Sequence, residues 1–170
     1  MTDFPPHAST ISVSKRALLL LGSLGPIGHF PASGTVAVAL VGIPVFAFTR
    51  SWSPEVYGCF TVIFILLSVV VHEIGDRILK TKDSGQLVWD ELAGFFVAIC
   101  FVPFTWQLVV LAFLMERAFD ISKFPPAGWI ERRWPGGWGV VGDDVVAGLY
   151  TCGATHLLMT LLPNWVGMNR

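Results

Sequence analysis

Charged side chains are scarce in this chain: Asp, Glu, Lys and Arg make up 14% of its 170 residues, where a soluble domain carries about 25%. The shortage argues against a soluble globular class, and 54% hydrophobic content with a mean hydropathy of +0.66 points the same way. The signs nearly balance, at a net charge of −1, so there is no basic excess to hold a nucleic acid. Cysteine is sparse too. Cys59, Cys100 and Cys152 stand alone in apolar segments, which excludes a disulfide framework or a zinc ribbon and leaves them as small buried hydrophobes. His7, His29, His72 and His156 form no HExxH or comparable cluster, so ordinary polar or interfacial roles are expected; His29 stands out because its loop leads into Ser33-Gly34-Thr35. Also missing are a DxDx or CX5R phosphatase signature, the DGxxAR pattern of lipid phosphotransferases, a Walker A loop and any Ser-His-acid arrangement.

What the chain does have is long apolar runs. Segments 35–49, 54–74, 87–102, 105–119 and 143–162 read as membrane helices. The expected fold is an all-α, polytopic membrane bundle of about five transmembrane helices, or four plus a re-entrant segment. Pro44 is expected to bend the first run. The shorter runs reach only about 22–24 Å at 1.5 Å per residue, so they need thinning, anchors or a wet mouth. Lys15-Arg16 followed by apolar residues 17–24 resembles a signal peptide, but Gly25-Pro26 interrupts it and no small-residue cleavage site follows. It reads as a retained interfacial or re-entrant helix. The expected organisation is a polar N-terminal segment (1–16), one membrane-embedded catalytic domain (17–165) and a short tail (166–170).

The positive-inside rule orients the bundle. With the N-terminus inside and five crossings, Lys15, Arg16, Arg77, Lys80, Lys82, Arg117, Lys123, Arg132 and Arg133 are cytoplasmic, against Arg50 and Arg170 outside. The acids then gather at the cytoplasmic face: Asp90-Glu91 opens one run, Asp120 closes another, and Asp143-Asp144 stands at the mouth of the last. Carboxylates at the edge of membrane-length helices are costly unless compensated, and so mark a site.

Asp90, Glu91, Asp120, Asp143 and Asp144 offer the oxygen ligands that Mg²⁺ prefers, a cation usually held by one or two carboxylates together with substrate phosphate. A plain N-cap is the bland alternative for Asp143. Arg117 and Lys123 are natural clamps for a phosphoryl group, although Arg117 and Asp120, three apart, could equally form an interfacial ion pair. Gly137 and Gly139, in Gly136-Gly137-Trp138-Gly139, can bring backbone N–H groups close to an anion, and Ser33, Gly34 and Thr35 open a helix whose N-terminus also attracts phosphate. A simple Gly-rich turn remains the alternative. Ala93-Gly94 and Ala147-Gly148 follow the two acid pairs, and such small residues would let two helices approach closely.

Three blocks carry a resemblance: Asp83-Ser84-Gly85-Gln86-Leu87-Val88-Trp89-Asp90-Glu91-Leu92-Ala93-Gly94, then Arg117-Ala118-Phe119-Asp120-Ile121-Ser122-Lys123, then residues 136–148, a GGxGxxxDDxxAG string. In order and spacing the chain resembles the phosphatidylglycerophosphatase A family of bacterial membrane phosphatases over about residues 20–160. The resemblance implies Mg²⁺-dependent removal of the terminal phosphate of phosphatidylglycerophosphate, giving phosphatidylglycerol, in the bacterial inner membrane. It assigns the conserved acids to Asp90, Glu91, Asp120, Asp143 and Asp144, and the basic members to Arg117 and Lys123. The family's Pro-Gly-Thr stands here as Ser33-Gly34-Thr35, and its Lys-Pro-x-Pro as Lys123-Phe124-Pro125-Pro126. A cation or phosphate transporter using the same acids is the competing reading, and a scaffold subunit a blander one. Transporters place sites near the midplane, whereas these acids cluster at one face.

Overall fold

The computed structural model describes residues 13–165, so residues 1–12 of the polar N-terminal segment and the 166–170 tail lie outside the described residues. Every regular element among the described residues is helical. Helix α1 (Val13–Gly22) leads through a 3-10 turn (Ile27–His29) to α2 (Ser33–Ala37). A π turn (Val38–Gly42) joins α2 to α3 (Ile43–Thr49) without a break in helical backbone. That turn lies just before Pro44, whose missing N–H would leave a gap in a regular ladder. The irregularity expected at Pro44 is therefore absorbed by the turn.

Helix α4 (Pro54–Leu79) starts with the Ser53 hydroxyl accepting from the Val56 amide and Pro54 in its first turn, and it stops at Lys80 in the left-handed region. Then come α5 (Trp89–Ala98), α6 (Trp106–Ser122), α7 (Ala127–Arg133) and α8 (Gly136–Leu161). Among the described residues α4 is the one helix both long and apolar enough to cross a membrane, and Ser33–Thr49 is a shorter apolar helix. Helix α5 has 10 residues, or about 15 Å, too little to cross as a helix. The 87–102 run instead continues as non-helical chain, and Ile99, Val102 and Pro103 share a cavity of about 210 Å³ with Thr49, Arg50 and Pro54.

Helix α8 is the centrepiece, packed against α4, α5, α6 and α7. The Ala-Gly steps do what their size allows. A Cβ on Gly94 would lie 2.8 Å from the Asp144 carbonyl oxygen, and one on Gly148 would lie 2.3 Å from that of Gly94. Helices α5 and α8 thus touch backbone to backbone, with Ala93 and Ala147 fully buried beside the contact.

Two helices bury polar side chains and expose apolar ones. On α4 the buried stripe is Tyr57, Thr61, Ser68, Val69, His72 and Gly75, while Val62, Ile63, Leu66, Leu67 and Val70 are exposed. Helix α8 likewise buries Asp143, Asp144, Thr151 and Thr155 and exposes Leu149, Leu157 and Leu161. Water would drive the opposite sorting; polar residues facing a bundle interior are the membrane pattern. Phe95, Phe96, Leu92, Ile99 and Leu108 form the apolar core, and the Tyr57 hydroxyl donates to the Phe96 carbonyl at 2.9 Å. Cys59, expected to be buried, is exposed on α4, whereas Cys100 and Cys152 are half-buried and free.

Candidate active site

The acids come from the start of α5, the end of α6 and the first half of α8. Asp90 and Glu91 occupy the first turn of α5. Asp143 and Asp144 lie within α8, well past its start at Gly136, so Asp143 is not an N-cap. Asp90, Asp143 and Asp144 are each 4% exposed, and Asp90, Glu91, Asp120 and Asp143 all lie near enough to Asp144 to interact with it. Five acids from three helices therefore share one neighbourhood.

Two cations are set among them. The Arg117 Nε and Nη2 atoms each donate to Glu116 at 2.7 Å, while Nη1 lies 3.4 Å from Asp120 Oδ2 and Nη2 lies 3.7 Å from Asp144 Oδ1. Glu116 thus holds one edge of the guanidinium, and the other faces the acids. The Arg117–Asp120 pair expected from the sequence is present, but the tighter partner is Glu116. Lys123, in the left-handed conformation that ends α6, donates to Asp143 Oδ2 at 2.9 Å and lies 2.8 Å from Glu131 Oε2. Burial opposes the Lys123 charge, yet its hydrogen bonds to Glu131 and Asp143 outweigh burial and raise its pKa above the ordinary lysine value.

Glu116 is fully buried, and its pair with Arg117 cannot lose one member cheaply. Glu116→Leu is expected to cost about 3 kcal/mol, the lower end for breaking a buried pair because Asp120 and Asp144 remain nearby. A lowered midpoint in thermal unfolding is the readout. An unchanged midpoint would show that the pair contributes nothing.

Several buried polar atoms have no hydrogen-bond partner: Asp90 Oδ1, Glu91 Oε2, Asp144 Oδ1 and both ring nitrogens of His72. Unsatisfied carboxylate oxygens in a buried, all-oxygen acid set are the chemistry a hard divalent cation fits. As the side chains stand, no three acidic, histidine or cysteine residues among those described are grouped to hold a metal ion. A cage is not what Mg²⁺ requires, since water and substrate phosphate complete its shell.

The glycine-rich stretch behaves differently from the loop expected. Gly136 opens α8, and the Gly137 amide donates to Glu73 Oε2 of α4 at 2.9 Å, so the protein's own carboxylate takes the place proposed for a phosphate. A Cβ on Gly137 would lie 2.3 Å from the Val69 carbonyl oxygen, and one on Gly139 would lie 2.6 Å from that of Trp134. Close packing, not an anion cradle, explains both glycines. At the other motif, the Ser33 hydroxyl donates to the Gly85 carbonyl at 2.6 Å, and Glu91 packs so closely on Gly34 that a Cβ there would sit 2.1 Å from Glu91 Oε1. Ser33-Gly34-Thr35 therefore reaches the acids through Gly34, which seats Glu91, and Thr35 is half-buried.

Three residues near the acids escaped sequence reasoning: Glu116, Glu131 and His72. Glu116 and His72 each interrupt an apolar run, which was the available signal. His29, singled out instead, is exposed.

Residues 20–159 match the family model described as Phosphatidylglycerophosphatase A. The chain is 29% identical over 154 residues to "Phosphatidylglycerophosphatase A" of Haemophilus influenzae, covering 88% of this chain and 92% of that one. It is also 29% identical over 164 residues to the protein of the same name from Escherichia coli K12, covering 93% and 94%. No solved structure matches. With a family match running through all the acid-bearing helices, the chain belongs to the phosphatidylglycerophosphatase A family and is a phosphatase.

Proposed function

We propose that this enzyme removes the terminal phosphate monoester of phosphatidylglycerophosphate, giving phosphatidylglycerol and phosphate in phospholipid synthesis, with Mg²⁺ as cofactor. It does so as a multi-pass protein of the bacterial inner membrane with its site toward the cytoplasm. The observation that carries this reading is Arg117 between Asp120 and Asp144, and Lys123 on Asp143, with Asp90 and Glu91 brought alongside by the packing of α5 on α8. The names of the relatives supply the substrate, and the sorting of α4 and α8 supports residence in a bilayer.

The acyl chains would remain among lipids along the exposed apolar faces while the head group meets the acids. Glu91 and Asp144, each with an oxygen free of hydrogen bonds, would hold Mg²⁺ together with Asp90, helped by Asp120 and Asp143. Bound there, the ion would polarise the phosphoryl oxygens. Arg117 offers the edge that Glu116 leaves open, and Lys123 a point charge, to offset negative charge on the equatorial oxygens. One of the acids, through an oxygen not engaged with the ion, would accept the proton of the attacking water and pass it to the departing glycerol oxygen. The transporter alternative gains no support from the comparisons.

The test is phosphate release by the purified full chain from phosphatidylglycerophosphate and from phosphatidic acid, with and without Mg²⁺. Release from the first alone, abolished by a chelator, is expected. No release from phosphatidylglycerophosphate would reject the substrate, equal release from phosphatidic acid would reject head-group selectivity, and full activity in chelator would reject the metal.

A further inference from the structure

His72 lies on the buried stripe of α4, fully buried, with its Nε2 3.1 Å from Asp90 Oδ1. The two atoms are within hydrogen-bond distance but not aligned as a bond, and neither has another partner. A buried imidazole and a buried carboxylate oxygen each cost free energy when unsatisfied, so a slight turn of the ring that joins them relieves both. A carboxylate only accepts, so Nε2 carries the proton in this contact and Nδ1 is left as an acceptor.

We propose that His72 is a positioning residue for Asp90: Nε2–H donates to Oδ1, fixing the carboxylate plane so that its remaining lone pairs face the divalent-cation site. The assignment rests on the proposed Mg²⁺-dependent function. Asp90 is the first acid of a short helix whose N-cap, Val88, offers no side-chain bond, so this contact from α4 is what tethers its Oδ1 across the helix interface. Ligating carboxylates are commonly held this way, and loss of such a hydrogen bond weakens metal binding or activity by about 10–100-fold.

The experiment measures Mn²⁺ binding to the solubilised full chain by electron paramagnetic resonance, Mn²⁺ replacing Mg²⁺ at an oxygen site, together with kcat and KM for the lipid. Glutamine places an amide N–H where Nε2 stands; asparagine places one where Nδ1 stands. His72→Gln is expected to keep Mn²⁺ affinity and kcat within a few-fold. His72→Leu and His72→Asn are expected to lose about 10–100-fold in Mn²⁺ affinity, with kcat falling and KM for the lipid unchanged. Wild-type Mn²⁺ affinity in either His72→Leu or His72→Asn would overturn the proposal, as would equal losses in the Gln and Asn variants, which would reveal a packing role. If the wild-type protein binds no Mn²⁺, the metal reading fails as well; if it binds and turns over normally while the variants match it, only the role of His72 fails.

Discussion

Asp144→Asn is expected to reduce turnover by about 10²–10⁴-fold, the range for losing a positioned acid or base, while leaving the protein folded and no less stable. The side chain keeps its size, so packing of α8 against α5 is undisturbed. What disappears is an acid at 4% exposure, whose Oδ1 has no hydrogen-bond partner and whose nearest cation, Arg117, is 3.7 Å away. An under-compensated buried charge costs stability that the neutral amide does not. Such groups are kept where activity needs them. The measurement pairs phosphate release from phosphatidylglycerophosphate with thermal unfolding. Wild-type turnover would remove Asp144 from the site, and a large fall in the unfolding midpoint would make it a structural residue instead.

Gly148→Val is expected to prevent the native bundle from forming. The first added carbon would stand 2.3 Å from the Gly94 carbonyl oxygen and 3.0 Å from Val97 Cβ. The first of these is backbone, so relief requires α5 and α8 to move apart. Overpacking of this kind costs about 1–3 kcal/mol or more, and the separation would draw Asp90 and Glu91 away from Asp143 and Asp144. Loss of folded protein on size-exclusion chromatography, and of activity with it, is the expected result. Gly153→Ala is the control: it lies in the same helix with open space around it, and alanine there should be neutral or stabilising by up to about 1 kcal/mol. Normal folding and activity in Gly148→Val would show that close contact of the two helices is not required.

Much of this architecture was legible from the chain. Apolar runs lie where helices form, because run length and composition answer directly to the surrounding solvent. The two Ala-Gly steps mark a helix contact, because only small residues allow backbones to touch. The five acids stood out because charge is rare enough here for each one to need a reason. Partners were harder to read. Arg117 was matched to Asp120 by helical spacing, yet its strongest contact is with its neighbour Glu116. That preference depends on burial, which spacing along one helix does not report.

The glycine-rich stretch shows the same divide. As sequence, Gly136-Gly137-Trp138-Gly139 reads as a loop or turn, since glycine is a poor helix former. Only the arrival of α4 decides it: the Glu73 carboxylate caps the Gly137 amide, and the Val69 carbonyl leaves no room for a side chain there. Helix class, the acid set and the small-residue contact follow from the order of amino acids, because each is a local property of composition or size. The pairing of each charge, the place of His72 beside Asp90 and the start of α8 were decided by tertiary structure, because each depends on a neighbour contributed by a distant part of the chain.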